Sequence, residues 1–341
     1  MKKTFLAASV VISSCIFHAA HAQSSVTLYG IVDNGIEYQN GGANRVIRMS
    51  SGGMFATVYG LIGHEDIGGG VHVNFQLEQG FSAANGAASV PGDAFNRLAW
   101  VGMSGQFGEF RVGRQKKPQY LYLDGLLDPL AGKSIASPLG NFMSTTVRAN
   151  NAIAYFTPNY RGLTGQFMVA MRDSTTKPSN GIQFYNAVFK YVNGPWILGT
   201  GYEQQDSPAG TSVQKAFTAA SSLKVNAARF YLVYHTETQS DGSENVAVYS
   251  ASASYLFNPA NEIVVMYGYL HDRSGRGDNA QQLGLSYEYF LSKSSMIYVA
   301  AGLIDNRNQA AYTLKGTEYA GIAVTPGATA RGIIIGLTHK F

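Results

Sequence analysis

From Ser25 onward, apolar and polar residues alternate with period two, and the alternation breaks at intervals at clusters of Gly, Asn, Asp, Ser and Pro. Val26, Leu28, Gly30, Val32, Ile36 and Tyr38 share one parity, while Thr27, Asp33 and Glu37 share the other. Val71, Val73, Phe75 and Leu77 alternate with His72, Asn74, Gln76 and Glu78. Ile263, Val265, Tyr267 and Tyr269 repeat the pattern, and Ile333, Ile335, Leu337 and Phe341 carry it to the last residue. No long stretch follows a 3.6-residue period. The pattern predicts strands throughout.

The connections between these strands alternate in length. Short ones fall at Gly63–Gly69, Ser104–Gly108, Pro158–Gly162, Val192–Pro195, Asn258–Asn261 and Leu291–Ser294. Long polar ones fall at Gln39–Gly53, Phe81–Ala94, Gln115–Arg148, Gln204–Thr211, Thr236–Asn245, His271–Ala280 and Asp305–Ala330. With a further turn near Leu223, the count is about 16 strands, an even number that leaves both termini at the short-turn end, as an up-and-down barrel in an outer membrane requires. Lipid offers no hydrogen bonds, so a sheet crosses it only when every edge is paired. Tyr29, Tyr38, Tyr59, Tyr155, Tyr255, Phe257, Tyr287, Tyr289, Tyr298 and Phe341 lie mostly near strand ends, where interfacial aromatic girdles are expected. A soluble β-sandwich would not call for that placement.

Composition sharpens this reading. Of 341 residues 45% are hydrophobic and only 13% charged, about half the charge of an average soluble domain. The formal net charge is +4, from 25 basic and 21 acidic residues without a basic block, so no nucleic-acid partner is expected. Mean hydropathy is −0.04. After residue 22 no apolar run is long enough for a helix to span a bilayer.

Residues 1–22 read as an export signal: Lys2 and Lys3 form the charged start, Phe5 to Phe17 the apolar core, and Ala20-His21-Ala22 a small-x-small cleavage site. Cleavage there leaves residues 23–341 as the mature chain and removes Cys15, the one cysteine. Disulfides, thiol catalysis and cysteine–zinc sites are thereby excluded. No catalytic motif is found, and His64, His72, His235, His271 and His339 are scattered without ligand spacing, so neither a reaction, a cofactor nor a metal is expected. The Arg276-Gly277-Asp278 tripeptide falls in a long loop and reads as coincidence.

Several runs, in order, resemble the general porins of Gram-negative outer membranes, of the beta-proteobacterial type. They are Ser25 to Asp33 (SVTLYGIVD), Gly63 to Gly70 leading into Phe75 to Glu78, Asn96 to Gly102 (NRLAWVG), Phe107-Gly108 with Gly113 to Gln115, Asn151 to Tyr155 with Pro158, Leu291 to Ser294, and Gly336 to Phe341. The resemblance spans essentially the whole mature chain. It implies an all-β, 16-stranded antiparallel transmembrane β-barrel, a homotrimer in outer-membrane lipid, and a water-filled lumen for small hydrophilic solutes and ions. It further implies that the third long loop, residues 115–148, folds inward as a constriction, and that Phe341 is the signal read by the barrel-insertion machinery.

A sorting constriction needs fixed charge at its narrowest point. The loop offers Asp124 and Asp128. By strand parity Arg97 and Arg111 face away from Trp100, Phe110 and Val112, toward the lumen; Arg148 shares parity with Asn150 and Ala152; Arg48 shares lumen parity with His64. Loop acids opposite wall arginines would give a transverse field. Val58, Ile62 and Ala154 stand where the family often has basic residues, which weakens the expectation of anion preference. Tyr120 and Tyr122 leave open a solute-selective channel, which an aromatic slide would mark. A barrel enzyme and a non-pore β-protein acting in adhesion are the readings from other classes.

Overall fold

The computed structural model describes residues 25–172, 181–207 and 210–341; the side chains of Tyr122, Asp124 and Gly125 and the whole 1–22 segment lie outside the described residues. Its strands are β1 (Ser25–Asn40), β2 (Arg45–Ser51), β3 (Val58–Gly68), β4 (Val71–Gly80), β5 (Leu98–Gly105), β6 (Gly108–Lys116), β7 (Arg148–Phe156), β8 (Leu163–Met171) and β9 (Ile182–Asn193). They continue with β10 (Trp196–Asp206), β11 (Val213–Val225), β12 (Ala228–Gln239), β13 (Asn245–Asn258), β14 (Asn261–Asp272), β15 (Ala280–Phe290), β16 (Ser295–Asn306) and β17 (Ala330–Lys340).

Apart from β2 and β3, which both pair with β1, each strand pairs antiparallel with the next, and β17 pairs back onto β1 from Ile31↔Lys340 to Asn40↔Arg331, so no edge is left open. The seventeen strands fill sixteen positions. β2 pairs with the far half of β1 and β3 with the near half, so the two are one barrel strand interrupted by residues 52–57. Closure is completed at the last residue: the Phe341 amide donates to the Gly30 carbonyl and the Gly30 amide to the Phe341 carbonyl, both at 3.0 Å. The Phe341 ring lies over the space a side chain at Gly30 would occupy.

The alternation resolves into two faces. Ile36, Val101, Val112, Leu232, Val265, Leu283 and Ile335 are exposed on the outer surface, where lipid would cover them. Asp33, Glu37, Gln39, Glu203, Glu237 and Gln282 are buried on the inner one. The outer aromatic positions include Tyr59, Tyr255, Phe257, Tyr287, Tyr289 and Phe341. Tyr29 and Tyr298, expected in the girdles, instead point inward. Tyr29 Oη bonds Glu78 and Gln76, and Tyr298 is fully buried with its hydroxyl donating to Asp33 Oδ1 at 2.9 Å. Tyr29 shares the parity of Asp33 and Glu37, and Tyr298 that of the inward Met296, Ala300 and Ile304. Counting aromatics near strand ends ignores which face they occupy.

Two expectations about connections are corrected. Gln39–Gly53 is not a loop: β1 runs to Asn40, turns tightly, and returns as β2. The interruption at 52–57 turns inward, where Asp33 Oδ1 accepts from the Gly53 amide at 2.8 Å and Oδ2 from that of Phe55 at 3.3 Å. The weakly marked turn near Leu223 falls just beyond Val225, between β11 and β12.

The interior is partly filled. The connection after β6 forms three short helices, α1 (Pro118–Tyr122), α2 (Asp124–Leu127) and α3 (Pro138–Phe142). Pro118 and Pro138 start α1 and α3 where a missing N–H costs nothing, and Ser137 caps α3 by accepting from the Gly140 amide at 3.0 Å. Leu123, Leu126, Leu127, Ile135, Leu139 and Phe142 from this connection bury against inward Val188, Val233, Val248, Val264, Met266 and Ile304. The wall is shaped for it. A Cβ on Gly284 would stand 1.9 Å from the Ala136 carbonyl oxygen, and one on Gly268 2.3 Å from Pro138 Cβ. The connection thus rests on the inner faces of β9–β16 and leaves the opposite wall, β3–β6, uncovered.

Candidate functional site

Charged side chains gather on the inner wall where β1, β2, β4 and β5 approach the 307–329 connection. Glu37 is the first node. Its carboxylate accepts from Arg48 Nε (2.8 Å), Ser50 Oγ (2.8 Å), Gln39 Nε2 (2.7 Å) and Tyr319 Oη (2.5 Å). The Arg48 guanidinium stacks over the Tyr319 ring, 4.6 Å from its centroid. Glu78 is the second node: Arg97 Nε donates to its Oε1 at 2.7 Å and Tyr29 Oη to Oε2 at 2.8 Å. Arg97 also pairs with Glu318. Because Glu318 and Tyr319 are adjacent, one segment of the last connection ties both arginines together.

Arg148 joins this group. It opens β7 within electrostatic reach of Arg97, Glu318, Glu78 and Arg114. Its Nε and Nη2 of Arg48 are buried with no hydrogen-bond partner among the described residues. Every carboxylate in the cluster is engaged, and the arginines bring net positive charge to this part of the wall.

Arg97, Arg111 and Arg148 do lie inward, but the parity argument for them needs correcting. Trp100 faces inward: it is opposite Gln76 and Gly113, and Arg111 stacks on it at 4.2 Å, so Arg111 does not face away from it. Arg111 is inward and sandwiched between Trp100 and Phe156, with both its carboxylate bonds, 2.9 Å each, to Glu109. It stands apart from the Arg48–Arg97–Arg148 group. Arg97 reaches the interior because it precedes β5, where strand parity does not apply. Arg148 and Ala152 do not share a phase, since Gly113↔Ala152 is followed by Gln115↔Ala149, one extra residue on β7. Val58 and Ile62 do lie on the inner face, opposite Ile31 and Thr27, and Ile62 is exposed there.

Of the two expected loop acids, Asp128 is not part of the cluster. Asp128 is fully buried inside its own loop, accepting from the amides of Leu130 (2.8 Å) and Gly132 (3.1 Å) and from Ser137 Oγ (2.5 Å). Burial pushes its carboxyl above the usual carboxylate range, against those hydrogen bonds. It is a loop-folding residue and not a lumen charge. Asp124 opens α2, and its side chain lies outside the described residues. Tyr120 packs, partly buried, against the core and donates to the Thr145 carbonyl at 2.8 Å, which ties its ring to the folded loop.

The loop is moored by ion pairs. Lys117 Nζ donates to Glu203 Oε1 (3.2 Å) and Gln205 Oε1 (2.7 Å), while burial draws its ammonium below the usual lysine range. Glu237, bonded to His235 Nε2 at 2.8 Å, accepts from the amides of Ser144 and Thr145. The sequence reading missed Glu37, Glu78 and Glu318. Glu78 carried a visible signal, since it shares the polar parity of Asn74 and Gln76. Glu318 carried none, as it sits in a connection without period.

The comparisons with known proteins agree with this fold. A family model described as Gram-negative porin matches residues 7–309. Outer membrane porin protein 32 of Delftia acidovorans is 32% identical over 359 residues, covering 100% of both chains. Major outer membrane protein P.IB of Neisseria meningitidis is 26% identical over 94% of this chain and 95% of its own. Among solved structures, the anion-selective porin from Comamonas acidovorans superposes with a TM-score of 0.83 at 28% identity, covering 94% of this chain and 100% of that one. An outer membrane protein of Vibrio cholerae in trimer form shares the fold, with a TM-score of 0.69 at 13% identity. The chain belongs to the Gram-negative porin family and is a protein of the outer membrane.

Proposed function

We propose that this chain, after removal of residues 1–22, forms a homotrimeric passive diffusion pore with a modest preference for anions, narrowed where Arg48, Arg97 and Arg148 face the folded-in connections. The observation that carries the preference is the grouping of Arg48, Arg97 and Arg148, whose neighbouring carboxylates Glu37, Glu78 and Glu318 are already engaged, and the likeness to the anion-selective porin from Comamonas acidovorans supports it. The guanidinium charges favour an anionic solute over a cationic one in the lumen beside them. Passage by diffusion calls for neither a cofactor nor a reaction. The trimer rests on family membership and on the trimeric Vibrio cholerae neighbour.

Proteoliposome swelling tests the pore. Vesicles carrying the folded protein should swell in small neutral sugars at rates that fall with solute size, and faster in monocarboxylates than in cationic amines of equal size. Equal rates for both charges would remove the preference, and no swelling at all would remove the pore.

A further inference from the structure

A second cluster lies on the uncovered wall at the short-turn end, away from the arginines. His64 on β3 stands opposite Asn74, and His72 on β4 opposite Asp66, so the two histidines form a diagonal cross-strand pair. Both share the inward parity of Ile62 and Asn74. Their rings are stacked, with centroids 4.6 Å apart and planes inclined by 28°. The hydrogen bonds around them leave ligand nitrogens available. Asn74 Nδ2 donates to Ser104 Oγ at 2.9 Å, which orients the Asn74 amide oxygen toward His64 Nδ1, 2.7 Å away. That contact places the proton on Nδ1 and the lone pair on Nε2 of His64. His72 Nδ1 is buried, 3.9 Å from Asp66 Oδ1, and the His72 side chain is 31% exposed, which leaves its Nε2 as the candidate ligand. Asp66 Oδ1 is itself held by the Gly68 amide at 2.8 Å. The neighbouring turn at Gly68, Gly69 and Gly70 is open, and His64 is itself exposed.

We propose that His64 and His72 bind one divalent transition-metal ion of the zinc, nickel or copper(II) kind, with Asp66 compensating its charge and water filling the remaining positions. Imidazole nitrogens suit these ions, and metal–nitrogen distances of about 2.0–2.1 Å are met when the two rings splay from their stacked contact by side-chain rotation. Among the described residues no three His, Cys, Asp or Glu side chains form a ready-made cage, so the site is a two-imidazole one. Ser104, Asn74 and His64 form the chain that orients one ligand.

Calorimetric titration of zinc chloride into the folded, detergent-solubilised full chain tests this without reference to conduction. The expected result is one ion per chain, with affinity at least about tenfold weaker in His64→Ala or His72→Ala, about tenfold weaker in Asn74→Ala, and unchanged in His271→Ala. Absence of stoichiometric binding, or binding that survives the double His64→Ala/His72→Ala change, overturns the site. Electron paramagnetic resonance of the wild-type protein with one equivalent of Cu²⁺ provides a test free of folding effects. Coupling to two imidazole nitrogens is expected, and a spectrum of oxygen ligation alone would overturn it.

Discussion

Replacing Asp128 with alanine distinguishes a carboxylate that folds the loop from one that sorts ions. In the structure its two oxygens accept from two backbone amides and one hydroxyl, all inside the connection, at 2.8, 3.1 and 2.5 Å. Hydrogen bonds to a charged group contribute about 1.5–3 kcal/mol each, and a buried donor left without a partner costs about 1–3 kcal/mol. Three donors left without a partner cost roughly 3–9 kcal/mol together, offset in part because the variant no longer buries a carboxylate. Even about 3 kcal/mol multiplies the population of a locally opened loop roughly a hundredfold. Asp128→Ala should therefore leave the barrel closed, as shown by heat-modifiable gel migration. It should also make single-channel current noisy and expose the 117–147 connection to protease. Asp128→Asn, whose amide oxygen still accepts from the backbone, should show a smaller effect. A quiet Asp128→Ala channel with a shifted reversal potential would refute this reasoning and return Asp128 to the ion path.

Other consequences follow from the same contacts. Arg97→Gln strips Glu78 and Glu318 of their shared cation, so reversal potentials in a salt gradient should move toward cation preference. Gly284→Val sets a side chain against the Ala136 carbonyl, where a Cβ already falls at 1.9 Å, so it should displace the connection and raise single-channel conductance. Phe341→Ala removes the ring over Gly30 at the barrel seam, and the yield of heat-modifiable folded protein should fall while folded molecules conduct normally. Because burial raises the Asp128 carboxyl, the folded loop keeps its proton to higher pH than the open loop does. Closed-loop stability therefore falls as pH rises from the ordinary aspartate range near ~3.9 toward that raised value, and acidification through the window should quiet loop-dependent noise.

The barrel was legible because a strand that faces lipid and lumen at once must alternate, and that period is written in residues such as Ile333, Ile335 and Leu337. The short and long connections followed from turn residues whose backbone needs are local. The interior was harder to read. Parity assigns a face only within an unbroken strand; Arg97 precedes β5 and Arg148 sits beside a bulge, so their inward placement, though as expected, does not rest on strand period. Polarity misled at Asp128, where a polar residue in a polar loop carries no mark of whether the loop will bury it. The last connection shows the limit most clearly. Thr317 donates its amide to Gly52 and Tyr319 its hydroxyl to Glu37, contacts that link residues more than 260 positions apart and leave no local trace.

Single-channel current across a planar bilayer with a potassium chloride gradient tests the central claim most directly. The account predicts stable ohmic steps from folded protein and a reversal potential of the sign set by faster chloride than potassium. Folded protein that passes no current would contradict the pore itself, and a reversal of the opposite sign would contradict the reading of Arg48, Arg97 and Arg148.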